Sequence, residues 1–143
     1  MITKKETVLL KHLRENSRKS LVSISKETDI PVSTLFDVLK RLESNIIIKH
    51  VSLVDFSKIG YGLKVNFVIK SRNKQGLREF LEKHASINSL SSLINGYDFY
   101  AEGIFKDLKE MTDFKEEIEQ FGIEKIDEIF IIDEIKREGF VHA

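Results

Sequence analysis

LVSISKETDIPVSTLFDVLKRLESNIIIKH, residues 21–50, reads as two short helices, a tight turn between them and a β-branched segment behind. Leu35, Val38, Leu39 and Leu42 recur at i, i+3, i+4 and i+7, the single apolar stripe of an amphipathic helix. At about 100° per residue, that stripe leaves Ser33, Asp37, Lys40 and Ser44 on the opposite face. Pro31 cannot lie inside a helix but is tolerated in a first turn, so the helix opens there and runs to about Glu43. Ser20 caps the shorter helix before it, which carries Val22 and Ile24 and ends near Asp29. Ile46-Ile47-Ile48 reads as a strand and, with Lys49 to Val54, as a two-stranded wing. A winged helix-turn-helix sets its second helix in a DNA major groove, where side chains meet base edges. A polar face with small hydroxyls and one cation suits that groove.

Upstream, Thr3-Lys4-Lys5-Glu6 has the spacing of a capping box and opens a first helix buried through Leu9, Leu10 and Leu13. Asn16-Ser17-Arg18-Lys19 breaks it. Net charge is zero over 143 residues, but it is unevenly spread: residues 1–53 carry 10 Lys/Arg against 6 Asp/Glu, and the remainder 13 against 17. A basic front and an acidic rear fit phosphate contact by the front only, and a dimer would double that surface. There is no cysteine, which excludes disulfides and thiolate metal sites and suits a reducing cytoplasm. No apolar run approaches the roughly 20 residues of a membrane span. Met1-Ile2-Thr3 leads straight into Lys4-Lys5-Glu6, so no secretory leader is expected.

Downstream, the paired glycines of Gly60-Tyr61-Gly62 mark a junction, which puts a hinge at 56–62 between domains 1–55 and 63–143. Leu63, Val65, Phe67 and Ile69 keep a period of two, and Leu77, Phe80 and Leu81 keep helical spacing after Asn73. Ile87 to Ile94 is strand-like, Asn95-Gly96 is a hairpin turn signal, and Phe99 to Phe105 is the next strand. Asp107 caps a helix buried through Leu108, Met111, Ile118 and Phe121, and Gly122 stops it. Ile126 to Ile135 reads as a long apolar last strand. The order β-α-β-β-α-β is the split βαβ unit of ferredoxin-like folds, so the fold class is α+β, a winged helix-turn-helix followed by a ferredoxin-like domain.

This arrangement resembles the Lrp/AsnC, or feast/famine, transcriptional regulators of bacteria and archaea. The resemblance is carried by Asn16-Ser17-Arg18-Lys19-Ser20, by Lys40-Arg41-Leu42-Glu43 before the Ile-rich segment, by Gly60, and by Gly96-Tyr97-Asp98, in that order along nearly the whole chain. It implies a homodimer built by the second domain, often assembled into larger homo-oligomers, and a free amino acid bound near the Gly-Tyr-Asp turn. This chain departs from the pattern in three places. Pro31 stands where a capping residue is usual. Ile46 and His50 replace glycines around the wing, with Asn45 expected to supply a left-handed residue instead. Asp127 and Glu128 lie where Ser or Thr is common, and their charge turns the expected effector towards a cationic amino acid or none.

The expected partners are thus double-stranded DNA, a second copy of the chain and a small-molecule effector, with no membrane, no metal and no cofactor. The DNA-facing set is Arg18, Lys19, Ser20, Ser33, Thr34, Asp37, Lys40, Arg41, Ser44, Lys49 and His50, and the effector set is Gly96, Tyr97, Asp98, Asp127 and Glu128. Asp37 has two readings: it accepts from a cytosine amino group, or, the preferred one, it pairs with Arg41 at i+4. Phe36 either meets a thymine methyl or, as preferred, packs on the first helix. Asp98 either pairs an effector's ammonium or braces the hairpin. His12, His50, His84 and His142 have no metal-ligand spacing, and nothing pairs a nucleophile with a base, so no enzyme is expected. The alternative is an enzyme like the sirohaem decarboxylases, which share the two-domain pattern. In that case Arg72, Arg78 and His84 are the second domain's only candidates.

Overall fold

The computed structural model describes residues 1–140, which fall into two compact units: 1–53 with the segment that starts at Ile135, and Val54–Glu134. Residues 135–140 therefore group with the first unit, against the expectation that the sheet domain runs to 143. His142 lies outside the described residues.

The first unit is a three-helix core of α1 (Lys4–Glu15), α2 (Leu21–Thr28) and α3 (Val32–Asn45). The capping box at its start is formed: the Thr3 hydroxyl accepts from the Glu6 N–H at 3.2 Å, and the Glu6 carboxylate accepts from the Thr3 N–H at 2.7 Å. Ser20 caps α2 by accepting from the Ser23 N–H, and α2 closes on Asp29 in the left-handed region. Pro31 is the N-cap of α3 and lends it no side-chain hydrogen bond. Leu9, Ile24, Leu35, Val38 and Leu42 are fully buried together, with Leu10, Leu13, Leu21, Ile30, Leu39 and Ile47 packed around them. Val22, by contrast, is exposed. At the other end of the chain the Arg14 guanidinium donates to the carbonyls of Glu138 and Gly139 and to the Glu138 carboxylate.

The expected wing is absent. Residues 47–55 carry no helix or strand, and Ile48 is fully exposed. Three β-branched residues favour extended backbone, but a strand exists only when another strand satisfies its N–H and C=O groups. Asn45 closes α3 as a helical residue and does not take the left-handed conformation.

In the second unit, β1 (Leu63–Ser71), α4 (Lys74–Lys83), β2 (Ile87–Ser92), β3 (Phe99–Phe105), α5 (Leu108–Ile118) and β4 (Ile123–Phe130) follow a short 3-10 turn, Phe56–Ile59. The four strands are ordered β2-β3-β1-β4, every pair antiparallel, with Phe67 opposite Ala101 on one side and Glu128 on the other. β4 is shorter at its C-terminal end than expected: it stops at Phe130, and Ile135 belongs to the first unit. Both helices cover one face. Val65, Phe67, Ile69, Phe99, Ala101 and Phe105 from the sheet pack against Leu77, Leu81, Met111, Phe114 and Ile118. Leu108 is exposed in the first turn of α5, and Phe114 fills the core in its place. The segment 56–62 opens with that turn: the Asp55 carboxylate accepts from the Ser57 N–H and hydroxyl, and Gly60 terminates the turn at φ +92°.

Candidate nucleic-acid interface and effector turn

The exposed side of α3 follows from its buried stripe. Leu35, Val38 and Leu42 face the core, so Ser33, Asp37, Lys40 and Ser44 are all exposed on the far side, with Thr34 half-buried at its margin. Asp37 and Arg41 do not pair. Arg41 reaches α1 instead, where its Nε lies 3.7 Å from Glu6. Glu6 is held below the ordinary glutamate range, first by the Thr3 backbone N–H it accepts from and then by the Thr3 hydroxyl, with the Arg41 charge a lesser cause. Asp37 is therefore an acid on the outer face with no cation at i+4 to neutralise it. Phe36 is not part of the buried core cluster. It is 49% exposed, and the Lys40 ammonium sits 4.6 Å from its ring centroid.

Around α2, Arg18 is exposed, and its own N–H is received by the Asn16 side chain. Lys19 is not a free phosphate ligand. Its ammonium is half-buried, donating to Glu27 at 2.7 Å and to His12 Nδ1 at 3.1 Å. Ser20 is engaged as the α2 cap. Beyond α3, Lys49 and His50 are exposed on the extended segment, and His50 Nε2 is 3.9 Å from Glu43.

At the other candidate site, Asn95 and Gly96 both take positive φ, +65° and +99°, the conformation that Asn-Gly sequences favour. Asp98 points inward. It is 8% exposed, accepts from the buried Ser71 N–H at 2.9 Å and pairs with Lys74 at 3.1 Å. Tyr97 donates its hydroxyl to Asp127 at 2.6 Å, and that bond is the first cause of the upward displacement of the Tyr97 phenol. Glu128 does not join them. Successive strand residues point to opposite faces, and Glu128 lies on the helix-covered side, paired with Lys115 of α5. The expected acidic cluster at the turn is thus split, with each carboxylate engaged by a partner.

The concavity at this turn is a cleft of about 250 Å³ lined by Lys74, Gln75, Arg78, Ser92, Leu93, Asp98 and Phe99. It presents two cations beside one carboxylate, a balance that sequence spacing could not reveal, because Lys74 and Asp98 meet across 24 residues. A second cleft of about 240 Å³ lies between the 3-10 turn and the start of β2, walled by Phe56, Ile59, Tyr61, Ile87 and Ile104. Arg72, Arg78 and His84 do not converge on one site. Arg78 borders the first cleft and pairs with Glu82, Arg72 is exposed near Glu124, and His84 packs on Phe80 and Phe114. Among the described residues no group of His, Asp and Glu is placed to hold a metal ion, and no helix is long and apolar enough to cross a membrane.

No protein-family model matches the chain. Among curated proteins it is 27% identical, over a 150-residue alignment covering 100% of this chain and 99% of the relative, to an uncharacterised HTH-type transcriptional regulator of Pyrococcus furiosus. It is 25% identical over 130 residues, 88% of each chain, to another from Pyrococcus abyssi. Among solved structures it superposes on Bacillus subtilis LrpC with a TM-score of 0.87 at 15% identity, covering 95% of this chain and 98% of that one. Escherichia coli AsnC gives 0.84 at 12% identity, covering 98% of both chains. A Neisseria meningitidis transcriptional regulator solved as its complex with L-methionine gives 0.84 at 22% identity, covering 96% and 94%. The chain therefore has the fold of the Lrp/AsnC transcriptional regulators and is similar, over its whole length, to transcriptional regulators of the helix-turn-helix type.

Proposed function

We propose that the protein is a sequence-specific DNA-binding transcriptional regulator that acts as a homodimer or larger homo-oligomer. One observation carries this reading: α3 presents Ser33, Asp37, Lys40 and Ser44 outward from a fully buried stripe, immediately after the α2 turn. Those groups can donate to and accept from base edges. Arg18 and Lys49 are exposed at either end of the helix pair, which supports a role in phosphate contact. The test is a gel shift of the full chain on its gene's own upstream region across a salt series. Binding should weaken steeply with salt, because each phosphate contact releases counterions. No shift at low salt would sink the proposal.

For the effector, the cleft beside Gly96-Tyr97-Asp98 suits a small zwitterion. Lys74 and Arg78 can receive a carboxylate, while Asp98, on the same cleft, can receive an ammonium. The division of the acidic pair removes the reason to expect a purely cationic ligand. A thermal-shift screen of the common amino acids tests this, since a ligand that binds only the folded state raises the melting temperature.

A further inference from the structure

We propose that Phe36 is a base-reading residue that recognises the 5-methyl group of a thymine in the major groove; this rests on the DNA-binding reading above. Phe36 is not part of the buried cluster of the three-helix core, which Leu9, Ile24, Leu35, Val38 and Leu42 complete without it. It is nonetheless a large apolar ring, half exposed on the helix whose outward face mostly carries hydroxyls and charges. Val32, one turn earlier on the same side, is 40% exposed, and Lys40, one turn later, holds its ammonium over the Phe36 ring at 4.6 Å.

The outer face is therefore graded. At about 100° per residue, the first turns run from apolar (Val32, Phe36) through cation and hydroxyl (Lys40, Ser33) to acidic (Asp37), with Arg41 beyond and Glu43 on the apolar side near the C-terminal end. A surface for phosphate alone would be basic throughout. A graded face suits base edges, which differ in kind. Purines offer N7 acceptors, cytosine offers an amino donor, and thymine alone among the four bases offers an apolar group, its methyl. Phe36 is the ring on this face that can bury such a group. The stacked Lys40 limits the ring's freedom and puts a cation beside the methyl, where it can serve a neighbouring acceptor.

The test uses the full chain and a labelled duplex from the upstream region that it shifts. Each thymine of the bound segment is replaced in turn by deoxyuridine, which pairs identically and lacks only the methyl. Wild type should bind about three- to fivefold more weakly at one thymine per half-site, the effect of one lost methyl burial. With Phe36→Ala, the same duplexes should bind alike. A flat scan with wild type overturns the inference and leaves DNA binding standing. That arm needs no variant, so it decides the matter even if Phe36→Ala folds poorly. A thymine penalty that persists undiminished in Phe36→Ala overturns it too. So does a Phe36→Ala protein that binds DNA normally but loses oligomers, which would show that a second copy covers the ring. If wild type binds no DNA at all, the functional reading falls first and takes this inference with it.

Discussion

Asp98 carries its charge inward, and its removal should be felt before any ligand is added. Its carboxylate accepts from the Ser71 N–H, which has no solvent to fall back on. Asp98→Ala leaves that donor unsatisfied and should cost about 1–3 kcal/mol, read as a lower urea midpoint with an unchanged slope. An Asp98→Ala protein as stable as wild type would mean that the bond has little structural value. Arg18 and Lys19 adjoin in sequence but should separate in experiment. Arg18→Ala should reduce the salt dependence of DNA binding by about one phosphate contact. Lys19→Ala should leave that slope alone and loosen α2, because its ammonium already belongs to Glu27 and His12. Both lysine partners lie seven and eight residues from Lys19. Arg41 finds Glu6 35 residues back, and Asp98 finds Ser71 27 back. A helix's i+4 rule sees none of these, which is why exposed residue types could be read at the interface but their partners could not.

Elements whose cause is local were legible from spacing alone. The Thr3 box, the Ser20 and Asp107 caps, the period-two strands and the Asn95-Gly96 turn all rest on residues within a few positions of one another. The segment behind α3 was not legible, because its extended residues have no sheet partner among the described residues. The local devices also carry a pH dependence. Glu6 is held below the ordinary glutamate range in the folded chain, so its stabilisation is present at neutral pH and is lost as pH falls from the ordinary glutamate range through the lowered value. Amide exchange in the first turn of α1 should speed up in that acid window, and Glu6→Gln should flatten the response. In β3, a side chain at Gly103 would press on the Phe105 and Phe67 rings at 2.6–3.0 Å. Gly103→Val should therefore destabilise the sheet unit by about 1–3 kcal/mol, measurable as a drop in its melting temperature.

For the whole molecule, β4 is an edge strand with Ile129 and Phe130 each nearly half exposed. Edges of that kind invite a partner. Light scattering of the full chain is expected to give a dimer or larger at tens of micromolar, roughly where weak dimers begin to dissociate, and Ile129→Asp should shift it towards monomer. A wild-type monomer would contradict this. DNA affinity should fall with the oligomer, since two recognition helices then no longer act together. The chain contains no tryptophan, and its three tyrosines are Tyr61, Tyr97 and Tyr100. All three fall within Val54–Glu134, and each phenol has a different neighbour: Lys106 lies over the Tyr61 ring, Asp127 accepts from Tyr97, and the Tyr100 oxygen accepts from Asn66. Light absorbed by tyrosine thus reports on the sheet unit, because the three-helix core holds no tyrosine and its Phe36 absorbs weakly at shorter wavelengths. Emission excited at tyrosine follows that unit with no signal from the three-helix core, so this protein is built with its own optical label on one half and a dark half beside it.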